Sequence, residues 1–93
     1  MNISLDYDNT YTRDPDSWDL FIKYFQSRGH TIYCVTARSN MQAMDVLNTI
    51  GELIGDKNCY FTNMQAKQKY MYDKGISIDV WIDDSPFFIV EGV

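Results

Sequence analysis

Four short apolar runs, each ending abruptly in polar side chains, constrain this chain more than any other feature. Ile3–Leu5 stops at Asp6, Tyr7, Asp8, Asn9 and Thr10. Ile32–Thr36 stops at Ala37 and Arg38, Cys59–Phe61 at Thr62 and Asn63, and Ile76–Ile82 at Asp83 and Asp84. The stretches between them carry helical spacing. Asp14 before Pro15 is a start signal. Trp18, Phe21, Ile22 and Phe25 then recur at the i, i+3, i+4, i+7 spacing of one helix face, and Gly29 stops it. Ser39 or Asn40 caps a second helix with Met44, Leu47, Ile50 and Ile54 on its apolar face. Gly51 is a mild penalty inside that helix, and Gly55 closes it. A third helix is expected over Gln65 to Lys74, ended by Gly75. Phe87–Val90 reads equally as a helical turn or a strand. The order β-α-β-α-β-α-β predicts an α/β fold with a parallel sheet and helices on both faces. In such a sheet ligands bind outside the carboxyl ends of the strands. All the polar clusters fall at that end.

The chemistry of those clusters is specific. Ionised side chains are costly to bury unless paired, hydrogen-bonded or bound to metal. Asp6 and Asp8 are two apart at a strand end; the alternative is an ordinary Asx-type turn. Asp83 and Asp84 are adjacent acids that repel, which suggests a cation nearby; capping of the turn before Pro86 is the structural alternative. Together the four acids supply hard oxygen ligands of the kind Mg²⁺ takes with water and substrate phosphate. With no His/Cys cluster, zinc is disfavoured. A carboxylate can attack phosphorus, and a second one can protonate the leaving alcohol and then activate water. Thr36 can hydrogen-bond a transferring phosphoryl group, and a lysine can neutralise its growing charge. Lys67 and Lys69 are the candidates. A cation in a first helical turn works against the helix dipole, and either lysine alone reads as a solvated side chain.

Ninety-three residues, 45% apolar and 15% aromatic, suffice for one small domain over 1–93. Cys34 and Cys59 lie in apolar runs and are expected to be buried thiols. His30, the one histidine, is expected in a solvated loop. No run is long enough to span a membrane, and no secretory signal is visible, so a cytoplasmic location is expected. With 8 Lys and Arg against 13 Asp and Glu, the net charge of −5 argues against a broad nucleic-acid footprint and leaves room for a local anchor of one or two Arg or Lys side chains.

Four segments in order, Asp6–Thr10 (DYDNT), Val35–Arg38 (VTAR), a lysine near Lys67, and Trp81–Pro86 (WIDDSP), resemble the motifs of the haloacid dehalogenase superfamily on its phosphatase branch. The resemblance spans nearly the whole chain. It implies a three-layer Rossmann-like sandwich with a small parallel sheet. It implies Asp6 as nucleophile and Asp8 as general acid/base, the acid at this second position being what separates phosphatases from dehalogenases in the family. Mg²⁺ would be held by Asp6, the backbone carbonyl of Asp8 and Asp83, with Asp84 supporting. Thr36 and Lys67 would orient and neutralise the phosphoryl group; Lys67 is preferred over Lys69 because it lies nearer the end of the third strand. Between the first two motifs there is room for a loop and one helix, so a capless member is expected.

The resemblance implies that a capless site goes with large substrates or with a neighbouring subunit as lid. The expected partners are therefore a phosphorylated small molecule or a nucleic-acid end, and the exposed sheet edges favour a homo-oligomer. Arg13, Ala37 and Arg38 flank the site and are the candidate substrate contacts, with surface ion pairs as the alternative for the two arginines. A Mg²⁺-dependent phosphomonoesterase leads these readings. A metal-binding module without catalysis and a phosphotransferase stand beside it.

Overall fold

A computed structural model describes residues 1–92. Its centre is a four-stranded, all-parallel sheet in the order β3-β2-β1-β4, with β1 at Asn2–Leu5, β2 at Thr31–Thr36, β3 at Cys59–Phe61 and β4 at Val80–Ile82. Helices α1 (Pro15–Ser27), α2 (Met44–Leu47), α3 (Ile50–Ile54), α4 (Lys67–Asp73) and α5 (Phe87–Val90) complete it. The fold is thus α/β, compatible with a Rossmann-like arrangement.

From β1 the chain steps outward to β2 and β3, then crosses back to β4 on the far side of β1. Parallel crossovers are right-handed with few exceptions. The reversal therefore puts α4 on the face opposite α1 and α3. Those two pack on each other and on β2, while α4 packs on α5. The reversal point lies between β1 and β4, and a doubly wound sheet opens its ligand crevice at that point. Asp6 and Asp83 are the residues that follow these two strands.

Local signals explain most of the elements. Asp14 caps α1 by accepting from the Ser17 amide at 3.3 Å, Pro15 opens it, and Gly29 follows it at φ +87°. Ile22 is fully buried, with Trp18, Phe21 and Phe25 packed on the same core. That core joins Ile3, Leu5, Ile32 and Cys34 of the central strands to Val46 and Ile50 of the α2–α3 segment.

The long second helix does not form. The chain makes a 3-10 turn at Asn40–Gln42, capped by Ser39, then α2, then a break at Asn48 and Thr49 before α3. Thr49 Oγ1 donates to the Asp45 carbonyl at 2.6 Å, competing with the helical ladder. The Tyr7 hydroxyl donates to the same carbonyl at 3.2 Å. Met44, assigned above to the apolar face, is consequently 66% exposed, and Val46 takes the buried position. The fourth strand is shorter than the run Ile76–Ile82, because Ile76 closes α4 through the Met71 carbonyl and Asp79 is tied to Asn2. Phe87–Val90 is a helical turn. Cys34 and Cys59 are free and buried. His30 lies in the loop between α1 and β2, half-buried, with its Nδ1 2.7 Å from the Met1 ammonium at the surface. No helix among the described residues is long and apolar enough to cross a membrane.

Candidate functional site

Strands β1 and β4 register Leu5 against Ile82, and the Asp6 amide donates to the Ile82 carbonyl at 2.9 Å. That pairing sets the acids that follow the two strands side by side. Carboxylate oxygens of Asp6, Asp83 and Asp84 all lie within 4.8 Å of one another. Lys67, the first residue of α4, reaches between two of them. Its Nζ donates to Asp6 Oδ1 at 2.9 Å and also to Asp83 Oδ2. The lysine side chain is 3% exposed, so the expectation of a solvated residue fails here. Lys69 points elsewhere and pairs with Asp73 on the surface.

Thr10 closes the cluster from the other side. Its hydroxyl lies 3.3 Å from both Asp6 Oδ2 and Asp84 Oδ1, and it accepts from the Asp84 amide. The Ser85 amide donates to Asp83 Oδ1 at 2.9 Å, fixing that carboxylate. Thr10 was not singled out in the sequence, although the terminal threonine of D-x-D-x-T was its signal. Asn9, just before it, adopts φ 63°, the turn that lets the chain leave the strand between Asp8 and Thr10.

Electrostatics mark the cluster as short of positive charge. Three carboxylates face one ammonium, a formal excess of two negative charges. Burial pushes the Asp6 carboxyl up to about 7, despite the opposing pull of Lys67. Burial draws the Lys67 ammonium down, but hydrogen bonding to Asp83 and the charge of Asp6 outweigh it, and the net shift is upward. The hydrogen-bonded contact with Asp6 holds the Asp84 carboxyl below its ordinary value. A divalent cation fits this donor set in charge and in kind, because all three side chains present hard oxygen atoms.

Asp8 does not join the three acids. Arg38 grips it in a two-pronged contact, with Nε to Oδ2 and Nη2 to Oδ1 both at 2.9 Å. The same guanidinium lies over the Tyr7 ring, 5.0 Å from its centroid, donates to the Gln42 carbonyl, and sits 3.7 Å from Asp45. Of the two readings offered above for Arg38, the structure shows the ion pair. Asp45 gave no signal in the sequence. Thr36 is buried at the end of β2, where its hydroxyl accepts from the Arg38 amide at 3.3 Å. Thr36 and Ala37 line a small central pocket of about 170 Å³ together with Asp6, Asp8, Lys67 and the Asp83–Asp84 pair. Arg13 stands outside that pocket, in a shallow recess of about 300 Å³ beside Trp18, Asp83 and Asp84.

Family models, curated proteins and solved structures give no match to this chain.

Proposed function

We propose that the chain is a Mg²⁺-dependent phosphomonoesterase with a capless haloacid dehalogenase-like fold. One observation carries this reading: Lys67 bridges Asp6 and Asp83 beside Asp84, at the point where the sheet reverses direction. Lys67 balances one of the three carboxylates, and the acids left over at this reversal point support a cation site. The four motifs quoted from the sequence support the same conclusion.

The family resemblance supplies the roles, and the geometry supports those of the acid cluster and Lys67. Asp6, Asp83 and Asp84 would hold the cation, together with the Asp8 backbone carbonyl that the family resemblance adds. When bound, the cation would supply positive charge to the phosphoryl oxygens and favour the ionised form of Asp6. Asp6 attacks phosphorus, its oxygen forming the new bond as the ester P–O bond breaks. Lys67 and Thr36 border the pocket that receives the phosphoryl group. Asp8 delivers a proton to the departing alkoxide, then takes one from the water that opens the acyl phosphate. That role requires the Arg38 fork on Asp8 to open and the freed carboxylate to take up a proton from solvent before the ester bond breaks.

The test is turnover of an aryl phosphate with Mg²⁺ by the native protein and by Asp6→Asn. Turnover by the native chain alone, with beryllofluoride trapped on Asp6, is the expected result. Equal turnover by both proteins rejects the mechanism. Asp8→Asn is expected to lower kcat by about 10²- to 10⁴-fold, the usual share of a general acid, while leaving the acid cluster intact. Metal titration by calorimetry separates the two variants.

A further inference from the structure

We propose that the cleft beside Asp8 receives the leaving group of the substrate, and that this group is a neutral nucleoside. The inference rests on the phosphatase reading above and extends it to substrate class. The central pocket, at about 170 Å³, has room for a phosphoryl group and a cation but not for the alcohol that carries the phosphate. A larger cleft of about 670 Å³ adjoins it, and the two share Asp8 and Ala37. That volume lies within the ordinary range for small-molecule sites.

Three of the chain's five methionines, Met41, Met44 and Met64, border this one cleft. They are 96%, 66% and 45% exposed. Methionine is ordinarily a core residue. Exposed methionines gathered round a concavity are characteristic of binding surfaces, where thioethers adapt to flat rings and favour aromatic contact. The backbone adds a second, independent sign. Asn63 and Met64 are consecutive non-glycine residues in the left-handed region, at φ 52° and 68°. Asn adopts this region readily, but for Met64 it is strained, and such strain persists only where the surroundings enforce it and gathers at ligand sites. Here the Asn63 and Met64 amides donate to the Arg38 and Ala37 carbonyls at 3.1 and 2.9 Å, tying the pair to the VTAR loop.

Charge selects among aromatic leaving groups. Arg38 is the one cation lining the cleft, and Asp8, Asp45 and the Gln42 carbonyl already engage it. When the Arg38 fork on Asp8 opens, Asp45 and the Gln42 carbonyl still engage the guanidinium, which leaves no spare positive charge for a second phosphate. The Asp45 carboxylate, 78% exposed, and the Asn63 amide remain to hydrogen-bond the edge of a ring bearing amino groups. A nucleobase offers such an edge and two flat faces. An oligonucleotide end or a nucleoside bisphosphate brings further anions and is disfavoured.

The test compares adenosine 5′-monophosphate, ribose 5-phosphate and adenosine 3′,5′-bisphosphate with Mg²⁺. The measurements are kcat/KM on the native protein and calorimetric titration on Asp6→Asn. Loss of the base, or gain of the second phosphate, is expected to lower kcat/KM and affinity by about tenfold or more. Met64→Ser and Met41→Ser should each shrink the preference for the base by about threefold to tenfold, the scale of a sulfur–aromatic contact. Equal values for the ribose and adenosine monophosphates, in turnover or in binding, overturn the proposal even if an aryl phosphate is hydrolysed well. Tighter binding of the adenosine monophosphate with no turnover of any ester would uphold the cleft assignment and reject the hydrolase.

Discussion

Lys67 begins a helix, where a positive charge opposes the dipole. It also leaves water almost completely. Both penalties are tolerated because two carboxylates receive its ammonium. Removing one partner of a buried charge pair is far more damaging than never having built it. Lys67→Met should therefore destabilise the metal-free protein by about 3–5 kcal/mol in urea denaturation, and Mg²⁺ should recover part of the loss. A variant as stable as the native chain would show that the pairs contribute nothing. Asp6 gives a second prediction. Its folded carboxyl sits near 7, well above its ordinary 3.8. Between those values the native state holds a proton that the unfolded chain has released, so stability must fall as pH rises through that window. Thermal denaturation in chelator from pH 4.5 to 7.5 should show this decline, and Asp6→Asn should flatten it. By the same linkage, metal binding should release protons and strengthen as pH rises toward 7.

At the scale of elements, the legible parts were those set by local chemistry. The cap at Asp14, the stripe of α1, the three residues of β3 and the polar strand ends could all be read directly. So could the nearness of Lys67 to the end of β3, which brings it, and not Lys69, to Asp6 and Asp83. What escaped was decided by partners distant in sequence. Thr49 and Tyr7, 42 residues apart, both hydrogen-bond the Asp45 carbonyl and divide the second helix. Asp79 and Ser77 are held by Asn2, which delays the start of β4. The grip of Arg38 on Asp8 likewise joins residues 30 apart, and spacing alone left it open. Gly51 is a related case. It looked like a weak point in a helix, yet a Cβ there would lie 3.2 Å from the Val46 carbonyl oxygen and 3.5 Å from Cys59 Sγ. Gly51→Ala should therefore destabilise by about 1–3 kcal/mol through overpacking, outweighing the roughly 1 kcal/mol that alanine gains in a helix interior. Equilibrium denaturation decides the sign.

For the molecule as a whole, three carboxylates around one lysine should make stability respond to a divalent cation. A cation that binds only the folded state at a hundred times its Kd adds about 2.7 kcal/mol. In a chain of this size that corresponds to a rise in Tm of roughly 10–20 °C. Differential scanning with and without Mg²⁺ measures it. An unchanged Tm in saturating metal would count against the acid cluster as a binding site. The pairing of Leu5 with Ile82 has a further consequence for biosynthesis. The acids at the two ends of the chain meet only when the last strand slots in beside the first. A polypeptide still emerging from the ribosome, with residues up to Gly75 outside the exit tunnel, already contains Asp6, Thr36 and Lys67 but lacks half the carboxylates. Such a nascent chain has Lys67 and Asp6 without Asp83 or Asp84, so the acid cluster assembles only after β4 has been synthesised and has paired with β1.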